Sequence, residues 1–244
     1  MSTDLDSAAR WTIATAAGEH PDQAALPIRL MNAYCVALAS KDPSYLQLVE
    51  GPGINYPDGA PVAWTMRRTA HDSKQVRGPS FFLRTLEEGL ASNVRHYFFG
   101  TTNETLALMR SRLEKAYPGL VIAGTSEAPF GSVDQILQAD VIESITGADP
   151  DIVWVGLGTP KQDFVARRLA DEIGVPCVGV GAAFDFAAGT QPEAHPLVRK
   201  MGLEWLHRLS TEPRRLWRRY LWGNSRFLAV VAREIVSSRS RHKR

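Results

Sequence analysis

The sequence predicts an α/β protein with a Rossmann-like, mostly parallel sheet flanked by helices, followed by a basic C-terminal helical appendage. Three observations lead to this prediction. Six short, β-rich apolar runs alternate with helical patterns of about 10–15 residues, which is typical of βαβ units. Several of these runs end in glycine and polar residues, as strands do at the ligand-binding edge of such a sheet. The final segment is rich in arginine at helix-compatible spacing.

The elements follow in order from the periodicity of the apolar residues. The predicted strands are Ile28–Met31, Gly53–Tyr56, Val94–Phe99, Leu120–Ala123, Ile152–Gly156 and Val175–Gly181. The predicted helices are Ala33–Ala39, Pro61–Arg68, Ser80–Ala91, Glu104–Ala116, Gln135–Thr146, Pro160–Glu172 and Pro196–His207. Residues 1–24 are polar and rich in small residues, which predicts a loose leader. An α/β catalytic domain is predicted at 25–195 and the basic appendage at 196–244.

Composition and charge place the chain among soluble globular proteins and divide it into two parts. Of its 244 residues, 44% are hydrophobic and 22% are charged, which is ordinary for a globular domain. Residues 213–244 hold ten Lys and Arg against the single acid Glu234. The net charge of +2 therefore conceals an acidic body with a basic end.

The chain is predicted to be cytoplasmic. Its N-terminus carries acids and lacks the apolar region of a signal peptide, and no apolar run approaches the ~18 residues of a membrane-spanning helix. Cys35 and Cys177 lie far apart within apolar runs, so we expect two buried thiols in a reducing compartment. The basic end is predicted to associate peripherally with the anionic inner face of the membrane.

Glycine and polar residues follow the predicted strands, and in a parallel sheet these positions share one edge. The candidate nucleotide- and diphosphate-binding residues there are Gly100, Thr101, Asn103, Gly158, Thr159, Lys161 and Asp185. Asp185 could accept hydrogen bonds from nucleotide hydroxyls or cap the next segment, and the sequence leaves both open.

The run G-L-G-T-P-K-Q predicts the start of a helix, whose free N–H groups and positive dipole end suit a phosphate or sugar. Thr159 is predicted as the N-cap, with Gln162 three residues later completing a capping box. Gln162 could therefore serve only to cap the helix. Lys161 stands where a dinucleotide fingerprint needs its third glycine, so that fingerprint is not satisfied.

Asp58, in Y-P-D-G, follows a predicted strand and has two interpretations. An acid before a glycine is common turn chemistry. A carboxylate at the ligand edge could instead take a proton from an acceptor hydroxyl as a general base.

No metal site is predicted. Asp149-Pro150-Asp151 matches the D-x-D pattern, but it precedes its strand and so is interpreted as a turn on the opposite edge. A bound diphosphate would then need protein cations, which Arg208, Arg215 and Arg218 could supply. The same arginines could form a solvated helix or face anionic lipid. Nucleic acid is not supported, since the body is acidic and carries no recognition motif.

Four motifs together resemble the WecB/TagA/CpsF family of bacterial glycosyltransferases. They are Y-P-D-G, D-I-V-W-V-G-L-G-T-P-K-Q-D, V-G-A-A-F-D-F-A-A-G, and G-L-E-W-L-H-R-L with E-P-R-R-L-W-R-R-Y. The resemblance covers roughly residues 26–235. It implies transfer of a sugar, N-acetylmannosamine-like or another hexose, from a UDP donor to a lipid-diphosphate-linked saccharide in cell-wall or exopolysaccharide synthesis.

The resemblance also implies roles for particular residues. Asp58 matches the family's catalytic base, Gln162 an active-site glutamine, and Asn32 the asparagine that ends the first strand. The residues that match arginines of the family's C-terminal appendage, implied to cover the site and reach the membrane, are Arg208, Arg215 and Arg218. The implied chemistry is inverting and uses no metal. The chain departs from the family pattern at Leu30 and in Gln75-Val76-Arg77-Gly78, where the arginine is displaced.

Two other functions are compatible with the pattern. One is a different nucleotide-dependent α/β enzyme, such as an oxidoreductase. The other is a non-catalytic, membrane-associated binding module that uses the basic end.

Overall fold

The computed structural model describes residues 4–23, 25–68, 70 and 72–241. Its six strands are β1 (Pro27–Met31), β2 (Ile54–Pro57), β3 (Arg95–Gly100), β4 (Val121–Ser126), β5 (Ile152–Gly156) and β6 (Cys177–Gly179). Its helices are α1 (Leu5–Ala16), α2 (Ala33–Ala39), α3 (Pro43–Glu50), α4 (Ala60–Met66), α5 (Gly78–Gly89), α6 (Asn103–Ala116), α7 (Val133–Ile136), α8 (Ala139–Gly147), α9 (Lys161–Ile173), α10 (Ala183–Ala188), α11 (Pro196–Lys200), α12 (Glu204–Thr211) and α13 (Pro213–Arg241).

The strands form one parallel sheet in the order β2-β1-β6-β5-β3-β4. β1 is internal: Ile28 pairs with Ile54 of β2 on one side and with Val178 of β6 on the other. The carboxyl ends of all six strands therefore point toward the same edge, where ligands bind in such sheets. The predicted α/β fold with a mostly parallel sheet is confirmed.

Helices cover both faces of the sheet. On one face, the Phe82 ring packs edge-on against Trp154 and Phe98, with ring centroids 4.9 and 5.7 Å apart. On the other face, Val153 and Val155 are fully buried together with Leu169 of α9. These two apolar layers hold the sheet rigid beneath the edge that carries the candidate site.

A buried hydrogen bond crosses the first of these layers. The Trp154 indole N–H donates to His96 Nδ1 at 3.1 Å, and both side chains are fully buried. Burial lowers the pKa of His96 to about 3. His96 is therefore a neutral core residue that accepts one hydrogen bond.

The prediction of a loose leader is wrong over Leu5–Ala16, which forms α1. The Asp4 carboxylate caps this helix by accepting from the Ser7 N–H at 2.8 Å. Ala8, Ala9 and Ile13 are buried as α1 packs on α5. The small residues that resemble a polar leader in the sequence are good helix formers, and their size allows α1 to lie close to its neighbour.

Other boundaries also differ from the prediction. All six strands are present, Ile152–Gly156 with the predicted bounds and the other five with shifted ends. The predicted helices Gln135–Thr146 and Pro196–His207 are each two helices. Gly202, with a left-handed φ of 70°, separates α11 from α12. Helices α3 and α10, of eight and six residues, were not predicted.

The long helix α13 packs along α2. Its Leu216 and Phe227 are buried, and a Cβ added to Gly223 would lie 3.2 Å from the Tyr34 ring. Arg226 donates to the Ser40 hydroxyl and carbonyl oxygens, each at 2.9 Å. No helix in the described ranges is long and apolar enough to cross a membrane. The domain boundary at 195/196 stays a prediction.

Candidate active site

Asp58 lies directly after β2, at the carboxyl edge of the sheet. Its backbone N–H donates to the Met31 carbonyl of β1 at 2.8 Å, so the turn is tied to the neighbouring strand. Its carboxylate accepts a long hydrogen bond, 3.4 Å, from the Gly78 N–H at the start of α5. The side chain is thus held near a helix N-terminus, which stabilises negative charge.

The environment of Asp58 raises its pKa from 3.8 to about 6. Burial is the main cause, and the negative charge of Glu204 adds to it. The Gly78 N–H and the cations Arg208 and Arg77 act in the opposite direction. The result is a carboxylate that is ionised at neutral pH and is more basic than an exposed aspartate.

Arg208 of α12 faces the same edge. Its guanidinium lies 5.7 Å from the centre of the Phe186 ring and lowers the pKa of Asp58. Its Nε atom is buried and has no hydrogen-bond partner among the described residues. A buried arginine donor without an acceptor is costly, and a diphosphate oxygen would supply one.

Arg77 and Glu204 are two charged residues of the site that the sequence did not single out as site residues. Arg77 Nε and Nη2 donate to the two carboxylate oxygens of Glu204 at 2.7 and 2.8 Å. Its Nη1 donates to the Ser80 hydroxyl at 3.2 Å and lies 3.5 Å from a Glu193 oxygen. The displaced arginine in Gln75-Val76-Arg77-Gly78 was the one visible signal, and it gave no indication of the partner on α12.

Asn32 ends β1 and begins α2. Its side-chain oxygen accepts from the backbone N–H groups of Tyr34 and Cys35 at 3.0 and 3.2 Å, which makes it the N-cap of that helix. The Arg219 guanidinium lies 4.2 Å from the centre of the Tyr34 ring. Asn32 therefore fixes the start of α2 at the strand edge next to Asp58, and Arg219 of α13 lies against Tyr34 in the first turn of α2.

The turn at Gly158–Gln162 differs from the predicted capping box. The helix begins at Lys161 after a cis Thr159–Pro160 peptide, and Pro160 occupies the N-cap position. Gln162 is 5% exposed, and its Oε1 accepts from the Gly158 N–H at 2.9 Å, not from Thr159. The helix therefore begins one residue later than predicted.

Gln162 lies next to a buried polar cluster that the sequence did not indicate. The neighbouring Asp163 carboxylate accepts from the Tyr45 hydroxyl at 2.7 Å and is 2% exposed. Burial raises the pKa of Asp163 to about 6, while Tyr45, Arg29 and Gln162 oppose that rise. The Gly158 turn thus rests on side chains from α3, α9 and β1.

The turn after β3 contains Gly100, Thr101 and Asn103. A Cβ on Gly100, whose φ is 120°, would lie 2.7 Å from the Gly156 carbonyl oxygen, so only glycine fits where β3 and β5 end together. The Thr101 N–H donates to that same carbonyl at 3.1 Å. Asn103 is exposed, and its N–H donates to a Glu127 oxygen at 3.1 Å.

The remaining candidates lie around these turns. Lys161 donates from Nζ to the Gly131 carbonyl at 2.7 Å. Asp185 lies in the first turn of α10, and its carbonyl accepts from the N–H groups of Thr190 and Gln191 at 3.0 and 3.3 Å. Arg218 is exposed and lies over its neighbour Trp217 at 5.2 Å. The Arg215 side chain lies outside the described part of the chain.

The D-x-D acids lie at the opposite edge of the sheet, as the sequence predicts. Asp149 and Asp151 precede β5 and both pair with Arg95, the first residue of β3. The described residues contain no group of three His, Cys, Asp or Glu side chains placed to hold a metal ion.

The structure brings together Asp58, Arg208 and Asn32 around the ends of β2 and β1, with the Gly158 turn two strands away after β5. An open parallel sheet with an acid and arginines at its carboxyl edge defines the class of α/β enzymes that bind a ligand across the strand ends. The sequence profile of the glycosyl transferase WecG/TagA/CpsF family matches residues 2–241. The chain belongs to this family, which is the one the motifs indicated, and it is a glycosyltransferase.

Curated relatives agree with this assignment. The chain is 29% identical over 205 residues to an N-acetylglucosaminyldiphosphoundecaprenol N-acetyl-beta-D-mannosaminyltransferase of Bacillus spizizenii, covering 82% of this chain and 77% of the relative. A Bacillus subtilis protein of the same name is 28% identical over 211 residues, covering 85% and 79%. A Staphylococcus aureus protein of that name is 24% identical over 189 residues, covering 77% and 72%.

Proposed function

We propose that the chain is an inverting glycosyltransferase that moves a sugar, N-acetylmannosamine-like or another hexose, from a UDP donor to a lipid-diphosphate-linked saccharide. The observation that carries this proposal is the Asp58 carboxylate at the strand edge, with its pKa raised to about 6. The relatives, named for mannosaminyl transfer to N-acetylglucosaminyldiphosphoundecaprenol, support the class of donor sugar and acceptor. A role in cell-wall or exopolysaccharide synthesis follows from such an acceptor.

Asp58 would act as the general base. It takes the proton of the acceptor hydroxyl as that oxygen attacks the anomeric carbon, and the bond from this carbon to the UDP oxygen breaks on the opposite face. Attack opposite to the leaving group inverts the anomeric centre. The raised pKa of Asp58 suits this role, because a base works best when its pKa lies near the operating pH.

Arginines would stabilise the departing UDP. Arg208 is placed to contribute, since its buried Nε has no partner in the described residues and its charge already acts on Asp58. Arg215 and Arg218 are proposed to join it when the donor binds. The rest of the nucleotide would lie along the Gly158 turn, the Gly100 turn and Asp185. We propose that no metal is required, because preorganised arginines can neutralise a diphosphate.

The basic helix α13 is proposed to bring the enzyme to the inner face of the membrane, where a lipid-linked acceptor would be found. Trp217 and Leu221 on this helix are 47% and 66% exposed. Exposed apolar residues among arginines are typical of interfacial helices.

The direct test is incubation with a panel of UDP-sugars and a lipid-diphosphate N-acetylglucosamine acceptor, followed by mass spectrometry of the product. We expect one UDP-sugar to add the mass of its own sugar residue, N-acetylhexosamine or hexose, to the acceptor, with the rate unchanged by EDTA. No added mass with any donor would refute the proposed transfer. A rate abolished by EDTA and restored by a divalent cation would refute the metal-free part.

Replacing Asp58 tests the proposed base. Asp58→Asn should lower kcat by on the order of 10² or more and leave UDP affinity unchanged, because the amide fills the same space without accepting a proton. In the parent chain, kcat should rise as pH increases through about 6, as the carboxylate ionises. Normal turnover in Asp58→Asn would show that another group is the base.

A further inference from the structure

Arg77 is not available to a ligand in this structure, although it lies beside the proposed base. Its guanidinium donates from Nε and Nη2 to the Glu204 carboxylate at 2.7 and 2.8 Å, and from Nη1 to the Ser80 hydroxyl at 3.2 Å. The side chain is 11% exposed. A fork-to-fork pair of this kind fixes the geometry as well as the charge of both partners.

The two ends of this ion pair stand on different parts of the site. The backbone at Arg77 is fixed to the sheet edge, since Val76 donates to the Pro57 carbonyl at 2.8 Å and Gly78 donates to Asp58. Glu204 is the first residue of α12. The pair therefore ties α12 to the turn that holds Asp58.

Arg208 depends on how α12 is held. It lies four residues after Glu204, so both side chains project from the same face of the helix. The Phe186 ring has the Arg77 guanidinium at 5.8 Å and the Arg208 guanidinium at 5.7 Å. Arg77 is fully paired, whereas the Nε of Arg208 is buried and has no partner in the described residues.

We propose that the Arg77–Glu204 pair is a clasp that positions α12, and through it Arg208, over Asp58 for sugar transfer. Arg77 and Glu204 are positioning residues, since both act through Arg208 and Asp58. The clasp rests on the proposed function. It also gives a role to the displaced arginine of Gln75-Val76-Arg77-Gly78.

The charges around Asp58 allow the clasp to be distinguished from a simple structural ion pair. Glu204 raises the pKa of Asp58, while Arg77 and Arg208 lower it. The Tyr220 hydroxyl of α13 also lies within the electrostatic reach of Asp58, Glu204 and Arg208, and burial raises its own pKa, so it is neutral. Glu193 pairs with Arg77 and with Arg199.

The first test is kinetic. Glu204→Gln should lower kcat roughly tenfold or more with a smaller change in KM, because Arg208 loses its position for the leaving group. The acidic limb of the pH–rate profile should move to lower pH, since the negative charge that raises the pKa of Asp58 is gone. The matched control is Glu87→Gln on α5, whose partner Arg84 lies on the surface. Unchanged kcat and an unmoved limb in Glu204→Gln would overturn the clasp.

The second test needs no activity. Hydrogen exchange of the unliganded chain should be roughly tenfold faster over Glu204–Thr211 in Arg77→Ala and Glu204→Gln, and unchanged over Asn103–Ala116. The exchanged pair, Arg77→Glu with Glu204→Arg, should restore protection. Parent-like exchange in the single variants would overturn the clasp. If the parent transfers no sugar while exchange changes as expected, the proposed function fails and the clasp as a structural device stands.

Discussion

Asp58 is stabilised in its neutral form by the same surroundings that suit it to proton transfer. Its pKa is raised to about 6, mainly by burial and secondly by Glu204, so the folded chain retains a proton that the unfolded chain loses near pH 4. Between those values the folded state binds more protons, and the free energy of unfolding falls as pH rises. A base of this kind reduces stability at neutral pH.

Asp58→Asn should therefore stabilise the chain at pH 8. An amide avoids the cost of a partly buried charge, which for a shift of this size is on the order of 1–3 kcal/mol. We expect a Tm several degrees higher than that of the parent at pH 8 and a smaller difference at pH 4, where the parent carboxyl is also neutral. Equal Tm differences at the two pH values would contradict the raised pKa.

The sequence predicted some residues of the site but not the contacts between distant ones. Asp58 and Asn32 were found because they follow strands, a position that the local pattern predicts. Arg77 and Glu204 lie 127 positions apart, and their pairing depends on how α12 docks. Gln162 was found, but its side chain accepts from the Gly158 N–H and not, as a capping box requires, from Thr159, because the path of the turn before the helix is not set by the local sequence pattern.

At the scale of elements, α1 is part of the core. Ile13 is 6% exposed and belongs to the same apolar cluster as Phe81 and Trp154. The Thr12 and Thr15 hydroxyls donate to backbone carbonyls of the preceding turn of α1 at 2.8 and 2.9 Å, so both buried hydroxyls are satisfied. The helix closes one side of the layer beneath the catalytic edge.

Ile13→Ala tests this role of α1. Removing a buried isoleucine leaves a cavity and should lower the free energy of unfolding by about 2–4 kcal/mol. Arg10→Ala, an exposed position on the same helix, should change it by less than about 0.5 kcal/mol. Urea unfolding of both variants measures the difference. Equal free energies of unfolding for the two variants would contradict the placement of Ile13 in the core.

The strands could be predicted from the sequence more reliably than the bounds of the helices. Strands such as Ile152–Gly156 are continuous apolar runs that end in glycine, which is a strong local signal. The single predicted helix over Pro196–His207 is interrupted at Gly202, which has a left-handed φ of 70° and where an added Cβ would lie 3.1 Å from the Ala60 Cβ. Helix α1 was missed because alanine and threonine give weak apolar contrast.

At the scale of the whole molecule, the basic charge of the C-terminal part is carried by a helix that packs on the sheet domain. Leu216 and Phe227 face inward, while Arg214, Arg218 and Arg233 are exposed. Cutting the chain before α13 would uncover the surface of α2 that it packs on, so a truncation would change packing as well as charge. Charge reversal on the exposed face is the cleaner test of the proposed membrane contact.

The triple variant Arg214→Glu, Arg218→Glu and Arg233→Glu should lose most of its binding to vesicles that contain anionic lipid. Each basic residue near such a surface contributes about 1 kcal/mol, and raised salt should weaken parent binding in the same direction. The control reverses three exposed basic residues elsewhere: Arg10, Arg68 and Lys115. Equal loss in both variants would point to net charge, not to α13, and would contradict the proposal.

The pairing of β1 with β6 has a consequence for how the chain is made. Pro27–Met31 lies beside Cys177–Gly179, so the first strand has its second neighbour only after residues 32–176 have been synthesised. Closing so long a loop is slow, since its entropy is lost before the contact forms. The backbone edge of β1 that faces β6 therefore stays unpaired until β6 is made, and an unpaired strand edge in a folding intermediate favours aggregation.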